Sequence, residues 1–246
     1  MGAHHFSRGT HMNTTPSRRA AAAVTAVLAL CACDNLSSGD DFLDEKPRSM
    51  AKTAFADTRK AESMRIQGSL EGDDGFVRVD LRLDDTSCYG RIKSEDGDFQ
   101  IIRNPEGAWL QADEHFWRAQ ASTFEVADKV AAYGGSWMVV EKKEKFIEQC
   151  DLDALLREFK VNNLDTKGTI DVGDVEKIGG VDAVPLTGRT KKEECTVWVA
   201  VEAPHRVVKI APTDDHGLPD ALFFDYDVHV LAETPDSKDI ITIPGG

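Results

Sequence analysis

The chain has 246 residues, with 43 acidic against 29 basic and a formal net charge of -14. Such a surface repels phosphate backbones and anionic headgroups, which argues against a nucleic-acid partner. Hydrophobic residues make up 41% of the chain, enough for one sizeable domain with a substantial core.

The first feature in chain order is an address. Met12 is a better start than Met1, so Met1–His11 are set aside. Arg18 and Arg19 then precede the small apolar run Ala20–Leu30, which ends in Leu30-Cys31-Ala32-Cys33. This is the layout of a secretory signal. The run is too short to cross a bilayer, which takes about 20 apolar residues. Its end resembles the lipobox of bacterial lipoproteins, where the cysteine after the cut receives the lipid. Cys33 fits that role better than Cys31, because small Ala32 precedes Cys33 whereas bulky Leu30 precedes Cys31. Residues 1–32 are therefore expected to be a leader and signal peptide. The protein would be held on the extracytoplasmic face of the cell membrane by a lipid on Cys33. Residues 33–46, acidic and poor in apolar side chains, are expected to form a flexible tether.

A domain is expected over residues 47–232. Ala51, Ala54 and Phe55 stand at helical spacing and predict a helix over Arg48–Ser63. The period then becomes two. Met64, Ile66, Gly68 and Leu70 alternate with polar residues; Val77, Val79, Leu81 and Leu83 do the same beyond the turn Gly72–Gly75. Cys88–Lys93, Phe99–Arg103 and Ala108–Ala112 continue a five-strand antiparallel meander with one apolar face. That face needs a cover. Glu114–Ala121 supplies Phe116 and Trp117, and Ser122–Glu125 is a capping box opening a helix that carries Phe124. Gly134-Gly135 ends that helix and can act as a hinge. Trp137–Glu141 predicts a short strand. Asp151 caps a helix with Leu152, Leu155, Leu156 and Phe159 on one side. Strands follow at Lys167–Ile178, Val181–Lys191, Thr196–Glu202, Arg206–Ala211 and Leu222–Val230. In the last, Leu222, Phe224, Tyr226, Val228 and Val230 form the apolar side. Residues 233–246 are expected to be a C-terminal tail lying across the domain. The expected class is α+β: one large curved antiparallel sheet of about eleven strands wrapped around a few helices.

Beyond the anchor, Cys88, Cys150 and Cys195 remain. Export allows one disulfide; Cys88–Cys150 is favoured, with Cys88–Cys195 the alternative. His115, His205, His216 and His229 lack metal-ligand spacing and read as surface residues; no metal or cofactor is expected. Trp109, Trp117, Trp137 and Trp198 read as core. No nucleophile elbow, zinc-protease motif or phosphate loop occurs, so an enzyme is not expected.

This order of elements resembles the actinobacterial LppX/LprG-type lipoproteins, whose fold is like that of the carrier LolA. The resembling residues run from the signal ending at Cys33 through Met64–Gly68, Cys88–Ile92, Ala108–Ala112, Phe116-Trp117 and Gly135–Trp137. Cys150–Leu152, Val181–Val184, Thr196–Val199 and Leu222–Tyr226 complete them. The resemblance implies a LolA-like half-barrel whose apolar cavity holds acyl chains or lipidated molecules in transit through the envelope. Acyl chains need apolar surface without directional chemistry, so such a site has no motif. The candidate lining is Val77, Val79, Leu81, Phe116, Trp117, Phe124, Leu155, Phe159, Val199, Phe224 and Tyr226. The expected partners are a lipid or acylated ligand and the membrane, with the protein a monomer. The competing reading is a non-enzymatic envelope adaptor or signalling lipoprotein with the same fold, a filled core and an envelope protein partner.

Overall fold

The computed structural model describes residues 39–72, 75–120, 133–141, 145–157, 159, 164, 169–189, 194–213 and 220–241. Cys33 and the Ser122–Glu125 capping box with Phe124 lie outside the described residues, as do residues 33–38 of the expected tether and His216.

Two helices open the domain. The first, α1 (Gly39–Leu43), falls inside the stretch expected to be tether. Its Phe42 is 2% exposed and stacks on the ring of His205, with centroids 3.8 Å apart. Phe42 is buried in this stack, so residues 39–43 belong to the folded domain, and His205 is half-buried beneath it. The second, α2 (Pro47–Thr58), starts on a proline, whose missing N–H costs nothing at a helix start. Met50, Ala51, Ala54, Phe55 and Thr58 form its buried face. It stops five residues short of the expected end. Thr58 donates its hydroxyl back to the Ala54 carbonyl at 2.8 Å and accepts the Val207 N–H at 2.9 Å. Ser63 is already paired in the first strand, opposite Asp84.

The meander is as expected: β1 (Ser63–Gly72), β2 (Gly75–Asp84), β3 (Cys88–Ser94), β4 (Gly97–Asn104) and β5 (Gly107–Ala112) pair in sequence order. After α3 (Glu114–Gln120), β6 (Trp137–Val139) adds to β5. A 3-10 turn (Lys145–Cys150) leads into α4 (Leu152–Arg157). Its N-cap is Asp151, whose carboxylate accepts the Ala154 N–H at 2.8 Å. The C-terminal half supplies β7 (Asp171–Val172), β8 (Glu176–Ile178), β9 (Val181–Arg189), β10 (Glu194–Ala200), β11 (Val207–Pro212) and β12 (Ala221–Phe224). β12 pairs with β1 and so joins the two halves into one sheet. With β13 (Ile240–Ile241) the order is β13-β6-β5-β4-β3-β2-β1-β12-β11-β10-β9-β7, and β8 also pairs with β9. That makes thirteen strands among the described residues, against about eleven expected.

Three differences have local causes. The strand expected over Lys167–Ile178 is two short ones. Pro185 of β9, which has no N–H for the ladder, faces the gap between them, and Gly173 bridges to the Pro185 carbonyl at 3.0 Å. The strand expected over Leu222–Val230 ends at Phe224, because Asp225 and Asp227 take left-handed φ of 51° and 59°. The tail adds β13 (Ile240–Ile241), parallel to β6, and Asn104 donates its side-chain amide to the Ala232 carbonyl at 2.9 Å.

The register builds the core. Phe223, Ile66, Leu81, Gly90, Ile101, Leu110 and Met138 are successive cross-strand neighbours, one lateral row across seven strands. All but Gly90 have large apolar side chains, and all of those are buried. α2, α3 and α4 place Phe55, Phe116 and Leu156 in the same cluster. The Cys88–Cys150 disulfide ties β3 to the 3-10 turn, with Cα atoms 5.6 Å apart. Cys195 is buried in the same cluster and takes no part in that bond. A second, small cluster of Ala183, Ala200 and Val208 lies on the opposite sheet face with Ile178 and Trp198. Trp198 is thus not a main-core residue. It lies under the Lys209 ammonium and donates its indole N–H to Glu176.

Candidate functional site

The candidate lining residues divide by face. Val79, Leu81, Phe116, Trp117, Phe159 and Val199 are all buried in the one main cluster; Val77, Leu155 and Tyr226 pack partly buried against it. Phe224 does not. It lies on the opposite face, with the Arg65 guanidinium 4.8 Å from its ring centroid. Its neighbour Phe223 takes the inward position, 3% exposed. Alternation along a strand puts consecutive residues on opposite faces, so within β12 the apolar side assigned to Leu222 and Phe224 is reversed, while Tyr226, beyond the end of the strand, does pack against the main cluster.

Two separate aromatic groups lie on the core face. At one, Phe159 packs edge-on against Phe223, with centroids 5.3 Å apart, and Phe55 is 6.3 Å away. Arg59 holds this corner by donating to the Phe159 carbonyl at 2.7 Å. At the other, Phe99 meets Phe116 at 4.9 Å, and Phe116 meets Trp117 edge-on at 5.2 Å. α3 is fastened there by Asp113, whose carboxylate accepts the Phe116 N–H at 2.7 Å and the Asp98 N–H at 3.0 Å. Gly97 permits the approach: a Cβ on it would stand 2.4 Å from the Phe116 nitrogen. Beyond α3, the Gly135 N–H reaches the Ala112 carbonyl at 2.9 Å.

Tyr226 contributes its ring but not its hydroxyl. The phenol donates to the Val207 carbonyl at 2.6 Å, and the Arg206 guanidinium stands over the ring at 4.9 Å. Burial pushes this phenol well above its ordinary pKa. Among the core-facing residues, Phe42, Phe55, Phe99 and Phe223 were absent from the sequence-derived lining. Helical spacing marks Phe55 and strand alternation marks Phe99, but neither local pattern separates Phe223 from Phe224.

Polar hollows lie elsewhere. One of about 410 Å3 is lined by Glu62, Ser63, Asp84, Asp85, Thr86, Asp227 and His229. Another, of about 530 Å3, lies around Arg91, Phe99, Gln111, Glu114 and Gly135. None of the candidate lining residues borders either. Among the described residues no helix is long and apolar enough to cross a membrane.

A wide curved sheet, almost wholly antiparallel and with short helices on its apolar face, defines the architecture as a LolA-like α+β half-barrel. Compared with solved structures, the chain is similar to LprF from Mycobacterium bovis. The TM-score is 0.50 at 11% identity, covering 77% of this chain and 96% of that one. It also aligns with the Mycobacterium tuberculosis lipoprotein LppX, with a TM-score of 0.46 at 13% identity, covering 76% and 98%. Through LprF, the resemblance to LppX/LprG-type lipoproteins holds at the level of fold. No family model and no curated protein matches the chain.

Proposed function

We propose that this protein is a membrane-anchored, non-enzymatic lipoprotein that binds lipid or lipidated molecules on the apolar face of its sheet and carries them through the cell envelope. The anchor would be a lipid on Cys33, at the extracytoplasmic face. The supporting observation is the continuous apolar face, crossed by the row from Phe223 to Met138 and covered by helices of only 12, 7 and 6 residues. Sequestration needs no catalysis. A hydrocarbon chain is as well solvated among leucine and phenylalanine side chains as among lipid tails. Transfer from bilayer to protein is then close to neutral, while each methylene left in water would cost about 0.8 kcal/mol. A carrier of this kind loads and unloads at membranes without releasing its cargo into water.

The adaptor reading has an observation of its own: Leu81, Leu83, Ile101 and Leu110 are wholly buried by the protein itself. Native mass spectrometry of the full chain purified from a lipid-rich actinobacterial host, followed by organic extraction, separates the two. Bound apolar mass at near one-to-one stoichiometry is expected. Protein that is free of lipid from such a host refutes the carrier and favours the adaptor.

A further inference from the structure

We propose that the indole N–H of Trp117 is the polar contact for a neutral acyl ester, donating to the ester carbonyl of a ligand whose chain lies on the core face. This rests on the carrier reading above and names its ligand class. Trp117 is 9% exposed, belongs to the main apolar cluster and packs edge-on against Phe116. Its Nε1 is buried and has no acceptor among the described residues. An indole has a single donor and no acceptor, so the whole polar capacity of the side chain is unspent. Buried tryptophan N–H groups normally find a partner.

Among the described residues three other buried polar atoms share this condition, and none of their side chains fits the role as well. Arg103 points its Nη2 at the carbonyls of Asp84 and Asp85, and Arg206 is paired with Asp227, so both side chains are already engaged with polar groups. Ser69 alternates with inward Ile66 and so shares the outer face with Arg65 and Gln67. Among the described residues only Trp117 presents an orphan donor inside the apolar cluster. The donor cannot leave, because Asp113 and Gly97 hold the first turn of α3 against the β3–β4 turn. A pure hydrocarbon leaves the N–H unsatisfied, whereas a carbonyl oxygen completes it. A carboxylate would bring a charge into the interior against one neutral donor, which favours the ester over the free acid.

The test uses the full chain and three fluorescent probes of matched length: methyl pyrenedecanoate, pyrenedecanoic acid and decylpyrene, which has no oxygen. Trp117→Phe should weaken the methyl ester about tenfold, equivalent to about 1.4 kcal/mol, and leave decylpyrene unchanged. At neutral pH the acid should bind less tightly than the ester. In the unsubstituted chain labelled with 15N-tryptophan, the Trp117 indole proton, assigned through contacts to Phe116, should move downfield with the ester and not with decylpyrene. That measurement stands even where the variant fails to fold. Equal weakening of both probes, tighter binding of the acid, or an indole resonance that ignores the bound ester overturns this assignment alone. Binding of no probe by the unsubstituted chain overturns the carrier reading and this assignment with it.

Discussion

Replacing Cys88 and Cys150 together by alanine removes a cross-link between positions 62 residues apart. In the chain-entropy model a loop of that length restricts the unfolded chain by about 14 cal/mol/K, or about 4 kcal/mol at 25 °C. Both cysteines are 0% exposed, so the lost sulfurs also leave small voids, adding on the order of 1 kcal/mol. For a domain of this size each kcal/mol moves the melting temperature by about 2–4 °C, so the combined loss of about 5 kcal/mol should lower it by roughly 10–20 °C. The loss should be uneven. Cys150 ends the 3-10 turn that buries Ile147 and leads into α4, so the amides of α4 should exchange faster than those of β2. Denaturant unfolding of the double variant measures the effect, and the reduced unsubstituted chain, which keeps both sulfurs, should lose about 1 kcal/mol less. Cys195→Ala should keep the cross-link. A loss below about 1 kcal/mol, or peptide mapping that places the bond on Cys195, refutes the reasoning.

Gly68→Ala attacks the seam between the sheet halves. Gly68 has φ of 141°, and a Cβ there would stand 2.0 Å from the Asp220 carbonyl oxygen. A loss of about 2–3 kcal/mol is expected, with the Ser69 amide, which donates to that oxygen, losing its exchange protection first. Retained protection at Ser69 would contradict this. Asp80 accepts two hydrogen bonds from Arg65, both at 2.8 Å, and this pairing holds its carboxyl below the usual carboxylate range. A pKa depressed on folding stabilises above the unfolded value, near 3.9, and that contribution disappears as pH falls through the folded value. The stability gap between the unsubstituted chain and Asp80→Asn should therefore be present at pH 7 and close on acidification; a gap independent of pH refutes the pairing. Cys33→Ser should move the protein from the membrane fraction to the soluble fraction and remove the acyl mass from its N-terminal peptide. Unchanged membrane retention would count against the anchor.

What the sequence discloses and what it hides follow from the range of the interactions. The meander β1–β5 is readable because its information is local: period-two alternation and Gly/Asp turns set both pairing and face. The single strand expected over Lys167–Ile178 fails for a non-local reason, the proline that β9 presents to it. Phe42 in the supposed tether is the same kind of error, since its partner His205 stands 163 positions further on. Phe223 and Phe224 are the sharpest instance. Both are phenylalanine, and hydrophobicity along β12 cannot rank them. The decision rests on Arg65, which faces Phe224 across β1, and on Asp225, whose left-handed backbone ends the strand and cancels the pattern extrapolated to Val230.

The candidate site is a harder case, because a surface that solvates hydrocarbon uses the same residue types as one that only packs against itself. Val79, Leu81, Phe159 and Val199 would be chosen for either purpose, and their burial is compatible with both. A directional atom is different. An N–H without an acceptor is a cost to a self-sufficient core and an asset to a core that receives an oxygen-bearing guest. Trp117 is where the two designs make different demands on one side chain. The response of its indole to an ester is therefore a more discriminating question than the volume of any apolar space around it.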